Sequence, residues 1–188
     1  MTSGIGPDKT KHGGSRMDPK ITAMSPFKLI GFQREFDNET AYAEIPKFWD
    51  EISKKYLAGG ILSGKEPSGP LEKAVADNRI GEFGACIDDL GGGRFRYLIA
   101  GRYKGGDIPD GMTVCEFPRG EWAIFDCIGP IPKTLQSLNT RIFREWLPGN
   151  PDHELRGSAN IEWYDFKGKG DEPDYHSAIW IPVKKRGK

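Results

Sequence analysis

From Phe27 onward the apolar positions change period several times, and each change marks a predicted element. Phe27–Phe36 mixes aliphatic and aromatic residues without helical spacing, which predicts a strand. Pro46 then opens a predicted helix with Trp49, Ile52 and Tyr56 on one face, stopped by Gly59 and Gly60. A variable stretch over 61–79 follows and holds a short helix around Leu71–Asp77. Gly81–Asp88 and Arg94–Tyr103 read as the arms of a hairpin turned by Gly91–Gly93, with Phe95, Tyr97, Ile99 and Tyr103 sharing one face of the second arm. The order then recurs. Met112–Phe117 and Glu121–Ile128 predict paired strands around Pro118, Arg119 and Gly120. Pro132 opens a helix whose buried face is Leu135, Leu138, Ile142 and Trp146, ended by Pro148 and Gly149. Ser158–Phe166 and His176–Val183 supply two more strands, joined by a loop over Lys167–Asp174. Apolar residues fall 3, 6 and 10 positions after each opening proline, so the two halves share a β-α-β-β plan and an internal duplication is expected.

Residues 1–25 are rich in Gly, Lys, Ser and Pro and show almost no apolar periodicity. They are expected to form a tail or leader outside a single domain over 26–188. Twenty-seven Lys and Arg balance 27 Asp and Glu, so no net basic field draws in nucleic acid or an anionic membrane, and no duplex binding is expected. Cys86, Cys115 and Cys127 are odd in number and lack a C-x-x-C spacing, which argues against a disulfide framework and a zinc site. His12, His153 and His176 have no metal-ligand spacing, and Gly91–Gly93 lacks the Lys and Ser/Thr of a phosphate loop. No metal and no cofactor are expected. With no membrane-length apolar run and no signal-peptide h-region, the chain reads as a cytoplasmic monomer.

Three segments carry a resemblance. GEWAIFDCIG at Gly120–Gly129 precedes a helix ending in REWLP at Pro148; IEWY follows at Ile161–Tyr164; IWIPVK stands at Ile179–Lys184. In that order the chain resembles the gyrase-inhibitor-like small-molecule-binding domain, also found as the effector-binding domain of AraC- and MerR-type drug-responsive regulators. The likeness runs from about Phe27 to Lys185. It implies an α+β fold of two β-α-β-β modules in pseudo-twofold arrangement, an antiparallel sheet with helices on one face, and a concave face for a ligand. It implies lipophilic, often cationic ligands, and one branch of the family is the cyclopropanoid hydrolases. The family's central glutamate carries over to Glu162. No helix-turn-helix pattern precedes Phe27, so a stand-alone regulator is not expected.

The residues support a pocket on their own terms. Glu162 sits in an apolar, aromatic strand, where burying a carboxylate costs several kcal/mol unless it is paired, so it is either exposed or functional. Tyr164 shares its face. Trp163 should point away from Glu162, toward the helices, and Trp180 toward the cavity. Phe83, Tyr97 and Tyr103 are candidates for the opposite wall and Trp122 for the mouth, whereas Trp49 and Trp146 read as helix packing. Two functions follow. One is a hydrolase of strained lipophilic electrophiles, with Glu162 as general base; the other is a protein that binds, sequesters or senses a lipophilic cation, with Glu162 as counter-charge. The first is favoured, because a free-standing chain has no evident output for a binding signal. Inhibition of a topoisomerase follows only from the family's name.

Overall fold

The computed structural model describes residues 17–57 and 66–187. Residues 1–16 of the tail expected over 1–25, and the helix stop at Gly59 and Gly60, lie outside the described residues. Among those described, one mixed α+β unit is built on a single antiparallel sheet. Its strands are β1 (Lys20–Met24), β2 (Phe27–Asp37), β3 (Phe83–Gly91), β4 (Arg94–Arg102), β5 (Thr113–Phe117), β6 (Gly120–Ile128), β7 (His153–Leu155), β8 (Asn160–Tyr164) and β9 (His176–Lys185). The order across the sheet is β1-β6-β9-β8-β3-β4-β2-β5, with β7 added beside β9. The helices are α1 (Ala41–Ile52), α2 (Pro70–Asp77), α3 (Lys133–Arg141) and the single turn α4 (Leu147–Gly149).

The sequence of the strands across the sheet is symmetric about the junction of β3 and β8. Each half reads β-β-α-β-β, and its leading strand is exchanged: β1 pairs with β6 of the second half, and β5 pairs with β2 of the first. This corrects two expectations. The strands flanking Pro118 do not pair with each other, and Lys20–Met24 is a sheet strand rather than part of a tail. Only Pro118 and Arg119 separate β5 at one end of the sheet from β6 near the other, so the sheet must curl into a half-barrel. Ring contacts between Phe117 and Trp122 at 6.0 Å and between Phe27 and Trp122 at 5.6 Å mark where its ends approach.

The curled sheet has a core on each face. On one, Phe27, Leu29, Phe83, Ala85, Leu98, Ala100, Phe117, Trp122 and Ile161 pack together, with Trp163 and Trp180 against them. On the other, α1 covers the first half through Phe48 and Ile52, and α3 covers the second through Leu135 and, in the turn beyond it, Ile142. Each such side chain contributes about 1.5–3 kcal/mol when fully buried. Both long helices widen into a π-type turn, Ser53–Leu57 and Ile142–Trp146, an irregularity shared by the halves. Pro132 caps α3 as expected, but Pro46 lies inside α1 rather than opening it. The helix starts earlier because Ala41 extends the buried stripe upstream through Ala41, Phe48 and Ile52, which also turns Trp49 to the flank of that stripe. At the β3–β4 turn Gly92 and Gly93 both take positive φ, as the twist of a two-residue hairpin requires. No helix among the described residues is long and apolar enough to cross a membrane.

Because β1 completes the β6 edge and lays Thr22 opposite Trp122, removing the chain before Ser25 is expected to lower the unfolding temperature. A loss of about 2 kcal/mol corresponds to roughly 4–8 °C in a chain of this size. Thermal unfolding of the truncated protein with no shift would show that β1 is dispensable.

Candidate functional site

β8 alternates its side chains across the sheet, placing Asn160, Glu162 and Tyr164 on the helix-bearing face and Ile161 and Trp163 on the other. Above this strand, between α1 and α3, lies a cavity of about 850 Å³. Its floor is the β3–β8 junction with Glu162, Tyr164, Asn160 and Cys86; Tyr97 and Phe95 enter from β4, Trp49 and Tyr42 from α1, and Leu135 and Asn139 from α3. The cavity thus opens on the helix-bearing face, where the two helices stand apart over their own halves of the sheet.

At its centre the hydroxyls of Tyr97 and Tyr164 both donate to Oε2 of Glu162, each at 2.7 Å. The Trp49 indole N–H donates in turn to the Tyr97 hydroxyl oxygen at 3.0 Å, and the Trp49 ring meets Tyr164 edge-on at 5.1 Å. Among the described residues no Lys or Arg pairs with Glu162, and none donates to its Oε1. The carboxyl sits deep among heavy atoms yet keeps partial access to solvent through the cavity. Burial pushes its pKa up, and the two phenol hydrogen bonds pull it part of the way back. Both phenols are driven well above the ordinary tyrosine value, first by burial and then by the adjacent carboxylate, so they remain protonated donors. Cys86 is pushed up for the same reasons and is an inert thiol. Asp50, Asp88, Asp89 and Arg94 also line the cavity, with Asp50 paired to Lys54 at 2.5 Å and Asp88 to Arg96 at 3.1 Å.

The triad needs space beneath it, and Gly84 provides it. Gly84 pairs with Glu162 across the β3–β8 ladder, and a Cβ there would lie 2.0 Å from the Tyr97 hydroxyl and 2.9 Å from Glu162 Oε2. Strand positions equate Lys20–Met24 with Thr113–Phe117 and Phe27 with Gly120; carried through the pairing registers, this equivalence makes Gly84 and Glu162 counterparts in the two halves. One half supplies the carboxylate and the other the room for its partner.

Of the residues singled out from the sequence, Glu162, Tyr164 and Tyr97 converge as expected. Trp122, Trp180 and Phe83 do not reach the cavity: all three belong to the core on the opposite face, because residues directly across the ladder point the same way and Trp180 pairs with Ile161, not Glu162. Trp163 points away from Glu162 as expected, but into that same core rather than toward the helices, with its N–H on Glu82 at 3.4 Å. Tyr103 shares the face of Tyr97 but lies six residues on, roughly 20 Å along the strand direction, where its hydroxyl donates to the Gly106 carbonyl. Trp49, expected to serve packing alone, is part of the site. Asn139, Asn160 and Gly84 carried no signal in the sequence, since short polar residues and glycine on strands and helices are ordinary. Among the described residues no cluster of three or more His, Cys, Asp or Glu is placed to hold a metal ion.

Residues 20–183 match the family model of Cass2, an integron-associated effector binding protein. No curated protein matches the sequence. Among solved structures, SAV2435 bound to tetraphenylphosphonium superposes with a TM-score of 0.69 at 20% identity, covering 89% of this chain and 94% of that one. The integron cassette protein VCH_CASS2 from the mobile metagenome of Vibrio cholerae gives 0.60 at 14% identity, over 88% and 95% of the two chains. The C-terminal domain of EcmrR gives 0.54 at 13% identity, over 90% and 98%.

Because burial raises the Glu162 pKa, the folded protein keeps a proton over a range in which the unfolded chain has released it. Stability therefore falls as pH rises from the ordinary glutamate value through the raised one, and the deficit is complete above it. Glu162→Gln is expected to unfold a few degrees above the wild type at neutral pH, with the gap closing toward about pH 4. Calorimetry at several pH values that finds a constant gap, or none, would contradict the buried, charge-penalised carboxyl. In a second variant, Gly84→Ala is expected to lower stability by about 2 kcal/mol or more, since the added methyl displaces Tyr97 from Glu162.

Proposed function

The chain belongs to the Cass2 family of integron-associated effector binding proteins, and from that premise we propose that it binds a lipophilic organic cation, with Glu162 as the counter-charge. One observation carries the reading: a half-buried carboxylate with two phenol donors and no cationic partner among the described residues, on the floor of an aromatic cavity. A carboxylate so placed bears a desolvation cost that a cation in the cavity offsets, whereas a neutral or anionic guest leaves it in place or worsens it. Trp49, Tyr97, Phe95 and Tyr164 offer ring surfaces to the rest of such a guest. SAV2435, of the same fold, holds tetraphenylphosphonium, a cation of this kind.

Hydrolysis of a strained electrophile is the second reading, and what favours it is the raised proton affinity of Glu162, which suits a general base. Against it, ring opening also needs an acid or a positioned water, and the two nearest hydroxyls already donate to Oε2 with pKa values well above the usual tyrosine range. Binding is therefore the function the geometry supports better.

Titration with tetraphenylphosphonium, followed by calorimetry or tryptophan fluorescence, is expected to give saturable binding that weakens roughly 30-fold or more in Glu162→Gln, the lower end of the range for removing one partner of a desolvated charge pair. Equal affinity in the two proteins would remove Glu162 from the site. Mass spectrometry of a cyclopropane-bearing alkylator incubated with each protein separates the second reading: product formed by the wild type and about 100-fold less by Glu162→Gln would make the protein a hydrolase.

A further inference from the structure

The polar hydrogens at the centre of the cavity all run one way. The Trp49 indole N–H donates to the Tyr97 hydroxyl oxygen, and the hydroxyls of Tyr97 and Tyr164 both donate to Oε2 of Glu162. An indole and a phenol carry one polar hydrogen each, so this chain uses all three and leaves none for a guest. Oε2 is also the oxygen held against the sheet, since a Cβ at Gly84 would come within 2.9 Å of it. Oε1 is different. No described residue donates to it, yet it is not sealed. Side-chain polar atoms that lack both a partner and accessible surface include Thr22 Oγ1, Trp122 Nε1 and Ser177 Oγ, and Glu162 contributes none. Its one unpartnered oxygen therefore keeps accessible surface, and on a half-buried residue of the cavity floor that surface belongs to the cavity. The centre of the site is an open acceptor without a donor of its own. It can satisfy a guest that brings a hydrogen, and has none to give a carbonyl, an ether or a carboxylate.

Resting on the cation-binding reading above, we infer that the protein's own ligands are lipophilic amines bound as their ammonium ions, each donating an N–H to Oε1 of Glu162. Quaternary and phosphonium ions carry the charge without the hydrogen. A charge-assisted N–H···O bond is short, about 2.7–2.9 Å, and roughly twice as strong as a neutral one. A quaternary ion brings its charge no nearer than its alkyl groups allow, and Oε1 then exchanges water for a contact that is not a hydrogen bond. Apolar walls discriminate weakly between guests of similar size, but a site built to pair with a donor penalises a guest that lacks one. The N–H, rather than the charge or the apolar body, accordingly decides among cations of equal bulk.

Three ions on one scaffold test this: 3,3-diphenylpropyl-trimethylammonium, its isomer the protonated N-ethyl-N-methyl amine, and the smaller protonated N,N-dimethyl amine. Each is titrated at neutral pH into the wild type and Glu162→Gln. The first two have the same charge and the same number of heavy atoms, and differ in the N–H. In the wild type the ethylmethyl ion is expected to bind roughly tenfold more tightly than the trimethyl ion, the effect of one hydrogen bond to a charged group. The dimethyl ion is also expected to bind more tightly than the trimethyl ion, although it buries one carbon fewer. Glu162→Gln is expected to weaken all three and to abolish the preference, because its amide oxygen takes the two phenol hydrogens and its NH2 group meets the guest. A wild type that binds the trimethyl ion at least as tightly as the ethylmethyl ion overturns the inference. That includes the case in which only the dimethyl ion gains, since the site would then be selecting for size. A preference for the N–H ions that persists undiminished in Glu162→Gln overturns it as well. Failure of all three ions to bind, or affinities indifferent to Glu162→Gln throughout, is a different result and contradicts the cation-binding reading itself.

Discussion

The structure turns on a single carboxylate oxygen. Oε2 of Glu162 receives the hydroxyls of Tyr97 and Tyr164 at the seam between the two halves of the sheet, and the Tyr97 hydroxyl is itself held by the Trp49 indole on α1. Burying this charge opposes folding, and the phenols answer only part of the cost because neither carries a positive charge. What remains is a strained electrostatic state at the bottom of an otherwise well-packed molecule, where the two cores do the work of stabilisation. A site that is costly to keep empty is suited to a guest of opposite charge, and functional sites are where such departures from an optimal core accumulate.

The pseudo-twofold architecture explains how the carboxylate can exist where it does. Exchange of the leading strands joins the halves into one sheet, so the symmetry axis falls at the β3–β8 ladder rather than at an open edge. A position on such an axis faces its own counterpart, and two glutamates there would repel within a buried space. The second half carries Glu162 and the first carries Gly84, whose missing side chain admits the Tyr97 hydroxyl. A difference at one pair of equivalent positions thus makes a symmetric seam an asymmetric site. The helices follow the same logic: each packs on its own half through Phe48 and Ile52 or Leu135 and Ile142, and the space between them is the cavity.

Much of this was legible in the residue pattern. The period-2 stripe of β4, the apolar face of α3 and the position of Glu162 and Tyr164 on one side of β8 all emerged from spacing alone, because alternation and helical periodicity are local properties. Sheet pairing is not local. Nothing in the five residues Lys20–Met24 distinguishes an exchanged strand from a polar leader, and Pro118 and Arg119 look like a hairpin turn whether or not the flanking strands pair. The error propagated to the aromatic residues: without the curl of the sheet, Trp122, Trp180 and Phe83 seemed free to line a pocket, whereas they fill the face on which the sheet closes. Trp49 was missed for the opposite reason, since a tryptophan on an amphipathic helix reads as packing until the neighbour of its N–H is known.

The central claim is that Glu162 is a proton-hungry carboxyl whose charge is called out by a cation in the cavity. Binding a cation beside such a group lowers its pKa, so binding must release protons where the empty site is partly protonated. Calorimetric titration of tetraphenylphosphonium in buffers of differing ionisation enthalpy counts those protons directly. The account predicts release that appears above the ordinary glutamate value, fades as pH rises above the raised Glu162 pKa, and is absent in Glu162→Gln. Saturable binding with no proton release at any pH above the ordinary glutamate value would contradict it, because a carboxyl whose pKa is raised must be partly protonated over some interval there.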